Sequence, residues 1–205
     1  NAYGYDYEIL DQKSINKAVM QINNSDLGNS ICVLNKNTFS QVALKTELQL
    51  DLSNFLPRSS YLNLLNNFFN NEEVVFIGTT GNTSREMYSF MPDTDNFYMA
   101  GNMGGALSVG LGMSLAGRKV VVCGGDAEFV MHMGGLTTSG RYSQDIDLMY
   151  ILFDNESNKS TGGQDTYQKH VDYLQIAKNS GFEVKFSEIS NIELFNQALI
   201  TLKDI

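Results

Sequence analysis

The sequence has few of the residues that form disulfides or metal sites in small folds, or that break regular secondary structure. Its 205 residues include no tryptophan, two prolines, two cysteines and two histidines. Cys32 and Cys123 each lie in an apolar run typical of a strand. We therefore interpret both as small buried residues in a reducing, cytoplasmic compartment rather than as a disulfide pair. No apolar run approaches the roughly 18 residues that a membrane-spanning helix needs.

Basic residues are also scarce relative to acidic ones. The chain has 14 lysines and arginines against 23 acidic residues, for a net charge of -9. This charge argues against nucleic acid or an anionic membrane as a partner. It does not argue against an anionic substrate, because the local field of a site can oppose the overall charge. The hydrophobic content of 42% is an ordinary globular value, and a chain of this length can bury a substantial core.

From residue 59 onward, the hydrophobic pattern alternates between strands and helices. This alternation predicts an α/β fold with a doubly wound, mostly parallel sheet and helices on both faces. The predicted strands are 73–78, 97–100, 119–123, 148–153 and 182–186. The predicted helices are 59 or 60 to 70, 82–90, 104–116, 128–139, 167–179 and 191–203. A polar, glycine-containing loop is predicted over 156–165.

The first part of the chain has a different pattern. Strand-like runs over 7–10 and 30–34 flank an amphipathic helix over 12–23. We divide the chain into a tail over 1–40, a linker over 41–57 and a domain over 58–205. The chain begins at Asn1 rather than methionine, and we expect that an upstream part has been removed or left out.

Two polar residues follow two consecutive predicted strands. Asp126 comes after the run that ends at Gly125, and Asn155 comes shortly after the run that ends at Phe153. The stretch between them can hold one helix, so the two strands should be parallel and joined by a right-handed connection. Both residues then lie at carboxyl ends of strands, where open α/β sheets bind ligands. A carboxylate and an amide oxygen suit a Mg²⁺ ion that holds phosphate oxygens.

The residues around Asp126 are compatible with a phosphate site. Gly124 and Gly125 let the backbone turn tightly and approach a ligand, and the following helix points free N–H groups at the same place. Glu128 adds negative charge there, so its side chain either points away or favours the helix start electrostatically. The alternative is an ordinary turn with Asp126 as a helix N-cap. The paired spacing with Asn155 favours the metal.

Gly125-Asp126-Ala127, followed by Asp154-Asn155, resembles the Gly-Asp-Gly and Asn-Asn signature of thiamine-diphosphate enzymes. Ala127 replaces the last glycine, which is tolerable if that residue has helical torsions, and Asp154 replaces the first asparagine. The resemblance implies a thiamine-diphosphate-binding fold with thiamine diphosphate and Mg²⁺ as cofactors. The implied metal ligands are Asp126, Asn155 and the main-chain carbonyl of Ser157. The implied cofactor contacts here are Gly125, Ala127 and Glu128.

Three further segments resemble one branch of these enzymes, the phosphonopyruvate and sulfopyruvate decarboxylases. The first runs from Thr79 to Glu86 and reads Thr-Thr-Gly-Asn-Thr-Ser-Arg-Glu. The others are Met131-His132-Met133-Gly134 and Ser160-Thr161-Gly162-Gly163-Gln164. The matches imply cofactor contacts from Thr80 and Gly81. They do not separate phosphonate from sulfonate substrates.

The segment Gly101-Asn102-Met103-Gly104 resembles the part of the family that holds the cofactor in a bent shape. Met103 would wedge between the two cofactor rings, and the carbonyl of Gly101 would accept a hydrogen bond from the aminopyrimidine. The alternative is that Met103 fills the core, as most methionines do. We favour the wedge because the flanking glycines leave room for a cofactor. His132 fits a satisfied helix residue better than a catalytic base.

Two cations are candidates to meet an anionic substrate head group, Arg85 and Lys159. Arg85 has the better claim because a bidentate guanidinium suits a phosphonate. The alternative is that Arg85 pairs with Glu86 or another acid for a structural purpose.

The resemblance implies decarboxylation of a small 2-oxo acid with an anionic head group, first of all 3-phosphonopyruvate to phosphonoacetaldehyde and CO2. In this family the activating glutamate comes from a separate pyrimidine-binding domain, and only residues 1–40 resemble the tail of that domain. We therefore expect this chain to supply the diphosphate half of the site and to be inactive alone. The missing domain would come from the same gene or from a partner subunit, in a homo-oligomer.

Other functions remain open. The chain can be a subunit of a sulfopyruvate decarboxylase or of another 2-oxo-acid decarboxylase. It can also be a non-catalytic α/β domain that binds a different nucleotide. The dinucleotide fingerprint Gly-x-Gly-x-x-Gly would favour that last possibility, but Gly78-Thr79-Thr80-Gly81 does not supply it.

Overall fold

The computed structural model divides into two compact units, Asn1–Lys45 and Thr46–Ile205. The residues that the structure describes are 6–11, 13–23, 30–40, 51–142, 144, 146–166, 170–184, 189 and 191–203. Residues 41–50 of the predicted linker lie outside this set. The predicted boundaries of tail, linker and domain, and the origin of the tail, stay predictions.

The first unit contains a strand-helix-strand motif. Strand β1 (Asp6–Leu10) pairs in parallel with β2 (Ser30–Leu34), and helix α1 (Ile15–Asn23) lies between them along the chain. Cys32 on β2 is a free, exposed thiol, so the interpretation that both cysteines are buried is wrong for this one. Two strands and one helix offer too little surface to cover every side chain of the strands.

Four parallel strands form the sheet of the second unit, in the order β4-β3-β5-β6. They are β3 (Val74–Gly78), β4 (Asp95–Tyr98), β5 (Lys119–Gly125) and β6 (Leu148–Phe153). The central strands are rich in β-branched residues, as parallel strands covered on both faces usually are. This sheet confirms the predicted α/β class. The predicted strand over 182–186 is not seen at residues 182–184, and residues 185–186 lie outside the described part of the chain.

Seven helices of the second unit lie within the described residues. They are α2 (Arg58–Phe68), α3 (Asn82–Phe90), α4 (Ala106–Leu115), α5 (Asp126–Met131), α6 (Gly134–Arg141), α7 (Tyr173–Asn179) and α8 (Ile192–Lys203). Helix α2 begins directly after Pro57, one or two residues before the predicted start, and has no side-chain cap. No helix in the described ranges is long and apolar enough to cross a membrane.

Two predicted helices have different bounds in the structure. The predicted helix 128–139 consists of α5 and α6, which are separated at His132. This residue leaves helical torsions (φ -135°), and its Nδ1 lies 2.8 Å from the carbonyl oxygen of Gly104. The predicted helix 167–179 begins at Tyr173, and its first residues, 167–169, lie outside the described set.

The segment after β6 contains a short antiparallel hairpin. Strand β7 (Ser157–Asn158) pairs with β8 (Gln164–Asp165). The backbone N–H of Gly163 donates to the carbonyl of Asn158 over 3.0 Å, at a φ of 84° that glycine tolerates easily. The predicted polar, glycine-containing loop over 156–165 therefore includes two short paired strands.

The sheet separates two apolar clusters, so helices cover both of its faces. On one face, Val121 and Cys123 of β5 pack with residues of α2, α3 and α8. On the other face, Val120 and Val122 pack with Ala106 of α4. The alternation follows the two-residue period of a strand. It confirms the predicted doubly wound arrangement.

Helix α4 packs so closely on the sheet that one of its glycines has no room for a side chain. A Cβ on Gly110 would lie 2.6 Å from Cγ2 of Val122 and 3.2 Å from Cδ1 of Leu148. We expect Gly110→Ala to lower the free energy of unfolding by about 1–3 kcal/mol, as overpacking does. Urea unfolding measures the change.

Gly112 provides the matched control in the same helix. No described atom lies within 4 Å of a Cβ built there. Gly112→Ala should therefore leave stability unchanged or raise it by up to about 1 kcal/mol through helix propensity. Equal losses for the two variants would contradict the close packing of α4 on β5.

Candidate metal and cofactor site

The two strand ends that carry the candidate metal ligands are neighbours. Strands β5 and β6 pair in parallel, and Gly125 lies opposite Phe153 in the register. Asp126 and Asp154 therefore follow paired residues, and Asn155 comes one residue later. The structure brings the carboxylate and the amide to the same edge of the sheet because parallel strands end on the same side.

Asp126 is a buried acid, with 3% of its surface exposed. Burial raises the pKa of its carboxyl group from 3.8 to about 6, and the nearby charge of Asp154 adds to the rise. Three donors partly offset these effects. They are the backbone N–H groups of Ala127 and of Asp126 itself, and the hydroxyl of Thr166, which lies 3.2 Å from Oδ2. A divalent cation at this carboxylate would compensate the same unfavourable charge.

Asn155 and Ser157 lie on the turn that leads into the hairpin. Oδ1 of Asn155 accepts from the backbone N–H of Ser157 over 3.2 Å, and the carbonyl of Ser157 accepts from the N–H of Lys159 over 3.1 Å. Glu156, between them, adopts a left-handed φ of 50°. Each of the two oxygens keeps a second lone pair, so the bonds within the turn leave capacity for a cation.

Three acids near this edge carry charges that act on one neighbouring side chain. They are Asp126, Asp154 and Glu156. Together with burial, which is the largest cause, their charges raise the pKa of Tyr173. Hard divalent cations prefer such oxygen-rich, negatively charged surroundings. Within the described residues, no group of three or more histidine, cysteine, aspartate or glutamate side chains is arranged to hold a metal. A metal here therefore needs the amide of Asn155 and the carbonyl of Ser157.

A large cleft extends from this edge along β6 as far as Lys119 and Asp147, and residues from several elements border it. Its walls include Thr79, Met103, Asp126, Asn155 and Lys159. The hydroxyl of Thr79 is buried and has no hydrogen-bond partner among the described residues. An unpaired buried hydroxyl is costly, so its position at the cleft indicates a ligand group that pairs with it. The sequence pattern predicted no role for Thr79, although this residue precedes Thr80 in the segment that resembles the decarboxylases.

Thr80 and Gly81 connect β3 to α3 at the same edge. The hydroxyl of Thr80 donates to the carbonyl of Met99 over 3.3 Å, so this side chain already has a partner. Gly81 has a φ of 108°, and a Cβ there would overlap Oγ of Ser160 on the hairpin. Two of the segments that carry the family resemblance, 79–86 and 160–164, are therefore in contact.

The segment before α4 combines an open glycine with a tightly packed one. Gly101 has a φ of 72°, and no described atom lies within 4 Å of a Cβ built on it. Met103 is half-buried and borders the cleft. A Cβ on Gly104 would lie 2.7 Å from Cβ of His132. Of these two glycines, only Gly101 leaves open space. Gly104 is required by its φ of 99° and by the contact with His132.

Glu128 turns its side chain into the fold. It is 3% exposed, and its Oε2 accepts from the hydroxyl of Tyr150 on β6 over 2.8 Å. Burial raises the pKa of this carboxyl group. Ala127, beside it, is the second residue of α5 and has the helical setting that its replacement of glycine requires.

The two candidate substrate cations lie in different places. Lys159 is exposed at the border of the cleft. Arg85 is exposed on α3 and is not among the residues that line the cleft. Glu86 pairs with Arg58 through two bonds of 2.7 and 3.0 Å, so the structure assigns Glu86 to Arg58 rather than to Arg85.

Comparison with known proteins identifies the class to which the second unit belongs. Residues 77–200 match the family described as "Thiamine pyrophosphate enzyme, C-terminal TPP binding domain". The chain belongs to this family. The match favours thiamine diphosphate over a dinucleotide as the cofactor.

Individual relatives agree with this family. The chain is 40% identical over 124 residues to the sulfopyruvate decarboxylase subunit beta of Methanothermobacter thermautotrophicus, covering 60% of this chain and 66% of the relative. It is 39% identical over 111 residues to the phosphonopyruvate decarboxylase of Streptomyces viridochromogenes, covering 54% of this chain and 28% of the relative. The chain thus matches less than two thirds of the length of either protein.

The fold also resembles that of a solved enzyme. The thiamine diphosphate-dependent 4-hydroxybenzoylformate decarboxylase of Rhodococcus jostii RHA1 superposes with a TM-score of 0.63 at 16% identity, covering 91% of this chain and 40% of the enzyme. At that identity the likeness supports the fold alone.

The raised pKa of Asp126 predicts how stability depends on pH without metal. The folded chain holds this proton up to about pH 6, whereas the unfolded chain releases it near 3.8. The free energy of unfolding should therefore fall as pH rises across this window, by up to about 3 kcal/mol. Asp126→Asn should remove most of this slope. Urea unfolding in a chelating buffer at several pH values measures it.

Asp93 serves as the matched control, because it is an exposed acid outside the cleft. Asp93→Asn should keep the slope of the unsubstituted chain. If Asp126→Asn keeps the slope as well, burial does not disfavour the Asp126 carboxylate.

The contact between Gly81 and Ser160 predicts a destabilising substitution. Gly81→Ala adds a side chain at a φ of 108° and forces the hairpin away from α3, at a cost of about 1–3 kcal/mol. Thermal unfolding measures the loss. Ser160→Gly in the Gly81→Ala background should restore the part that comes from the clash. A double variant no more stable than Gly81→Ala would show that the hairpin does not press on Gly81.

Proposed function

We propose that this chain supplies the diphosphate and metal half of a thiamine-diphosphate-dependent decarboxylase of 2-oxo acids. The observation that carries the proposal is the placement of Asp126 and Asn155 after neighbouring parallel strands. A buried acid beside an amide oxygen and a main-chain carbonyl forms the oxygen donor set that Mg²⁺ prefers. The family match supports the cofactor.

The residues of this chain have distinct proposed roles around the cofactor. Asp126, Asn155 and the carbonyl of Ser157 would hold Mg²⁺, whose charge would offset that of the nearby acids and of the diphosphate. The unpaired hydroxyl of Thr79 would join the cofactor contacts. The further proposed contacts are Thr80, Gly81, Gly101, Met103, Gly125, Ala127 and the main chain of Glu128.

The bound cofactor would accept the electron pair of the carbon–carbon bond that breaks when CO2 leaves. The part of this chain is to bind and orient. Met103, half-buried on the wall of the cleft, would support the cofactor from the side. The hairpin that contacts Gly81 and reaches Asp126 through Thr166 would help to exclude water from the site.

The exposed surface of the first unit supports the proposal of a partner domain. Large apolar side chains lie exposed there. They are Ile9, Val19, Met20, Val33, Leu34 and Phe39. Uncovered apolar surface on this scale favours burial against protein. A pyrimidine-binding domain that brings the activating glutamate, from the same gene or a second subunit, would cover it within a homo-oligomer.

The first candidate substrate is 3-phosphonopyruvate, which would give phosphonoacetaldehyde and CO2. Lys159 is the better placed of the two cations to meet the phosphonate, because it borders the cleft and Arg85 does not. The second candidate is sulfopyruvate, which the similarity to a sulfopyruvate decarboxylase subunit supports at 40% identity. The anionic head group and the 2-oxo acid are common to both.

An assay of the complete enzyme, with the pyrimidine-binding partner present, tests the proposal. CO2 release from phosphonopyruvate and sulfopyruvate is measured with thiamine diphosphate and Mg²⁺. We expect one substrate to be preferred, and chelation of the metal to abolish activity. Asp126→Ala and Asn155→Ala should each lower kcat/KM by at least about 100-fold, since even residues that only support metal ligands contribute 10–100-fold.

Asp93→Ala is the control for these variants and should retain full activity. Unchanged kcat/KM in Asp126→Ala would refute the metal site. Turnover by the 205-residue chain alone would refute the need for a partner domain.

A further inference from the structure

The carboxylate of Glu128 is buried and contacts neighbouring elements of the fold. The hydroxyl of Tyr150 on β6 donates to Oε2 over 2.8 Å. The backbone N–H groups of Gly125, at the end of β5, and of Ala106, at the start of α4, also lower the pKa of this carboxyl group, although burial has the larger effect and raises it. One side-chain hydroxyl and two backbone groups thus face this buried acid. A buried carboxylate without such partners would be strongly destabilising.

Gly124 is part of the same arrangement. A Cβ at this position would overlap the hydroxyl of Tyr150 and would lie 2.7 Å from Oε2 of Glu128. The pair formed by Glu128 and Tyr150 therefore lies directly against the backbone that leads into Asp126. Glycine is needed here because the pair occupies the space a side chain would fill.

A second contact ties the same elements together. His132 follows the end of α5, and its Nδ1 lies 2.8 Å from the carbonyl oxygen of Gly104. A Cβ built on Gly104 would also lie 3.5 Å from the backbone carbonyl oxygen of Glu128. The wedge segment (Gly101–Gly105) is thus held from α5 at Gly104 and, one residue past its end, at Ala106. Met103 stands within this segment.

We propose that Glu128 is a positioning residue that fixes the wedge segment relative to the turn at Gly124–Asp126, with Tyr150 as its partner. Its side chain is directed into the fold, toward Tyr150 and the backbone at Gly124. The side chain therefore acts through the main chain of two cofactor-binding segments and not by contact with the diphosphate. The inference rests on the proposed cofactor site but is independent of the proposed substrate.

Cofactor binding to the complete enzyme tests this role. Calorimetry measures the dissociation constant of thiamine diphosphate at saturating Mg²⁺. We expect Glu128→Ala to raise this constant by about 10- to 100-fold, as supporting residues of metal sites do, and Tyr150→Phe to raise it by a smaller factor. In the Glu128→Ala background, Tyr150→Phe should have no further effect, because the two residues act as a unit. Glu128→Gln keeps an oxygen for Tyr150 and should recover part of the loss.

Glu72→Gln is the matched control. Glu72 pairs with Lys119 at the opposite end of β5, over 3.2 Å. The substitution is the same as in Glu128→Gln, but at this distant place it should leave the dissociation constant unchanged. Hydrogen exchange of the complete enzyme without cofactor gives a second readout. Amides from Gly104 to Val109 should exchange at least about 10-fold faster in Glu128→Ala than in the control, because local protection follows local stability.

Each outcome decides the proposal. The proposal is supported if Glu128→Ala and Tyr150→Phe each weaken cofactor binding and the double variant binds no more weakly than Glu128→Ala. A folded Glu128→Ala variant with unchanged affinity overturns it, and so does tighter binding, which would show that Glu128 repels the diphosphate. If Glu128→Ala does not fold, the near-isosteric pair Glu128→Gln and Tyr150→Phe carries the same test. A failure of the decarboxylase assay leaves these binding measurements unaffected.

Discussion

The parallel pairing of β5 with β6 is the constraint on which the candidate site depends. Because Gly125 lies opposite Phe153, the chain leaves both strands at the same level, and Asp126 emerges next to Asp154 and Asn155. A shift of the register by one residue would turn the alternating side chains of β6 to the other face and would separate the carboxylate from the amide. The clusters on the two faces of the sheet, built around Val121 and Val122, hold that register in place.

The site is electrostatically unfavourable without a cation. Burial and Asp154 together raise the pKa of Asp126 to about 6, and a hydroxyl and two backbone N–H groups moderate the effect. The hydroxyl of Thr79 remains without a partner in the described residues nearby. Binding sites commonly retain such unfavourable groups, because the ligand supplies the missing charge and hydrogen bonds. Stability and function are therefore expected to oppose each other at Asp126.

The local pattern was most informative where an element is bounded by local signals. The strand over 148–153 and the helix over 82–90 occur with the predicted bounds, because an unbroken apolar run defines the strand and Pro92 follows the end of the helix. The spacing of Asp126 and Asn155 likewise pointed to neighbouring strand ends, since parallel connections of that length are limited. Where an element is shaped by contacts remote in the chain, the pattern failed. The break of the predicted helix 128–139 at His132 follows from the bond to Gly104, 28 residues away.

The sequence by itself determined the alternation of strands and helices, the placement of acid and amide after consecutive strands, and the segments that resemble thiamine-diphosphate enzymes. These features are local, and short-range propensity and spacing encode them. The tertiary structure decided which polar groups meet. It joined Thr166 to Asp126, Ser160 to Gly81, and Tyr150 to Glu128. The partner of a buried charge is chosen by the packing of distant elements, because only packing removes water and brings a particular donor within reach.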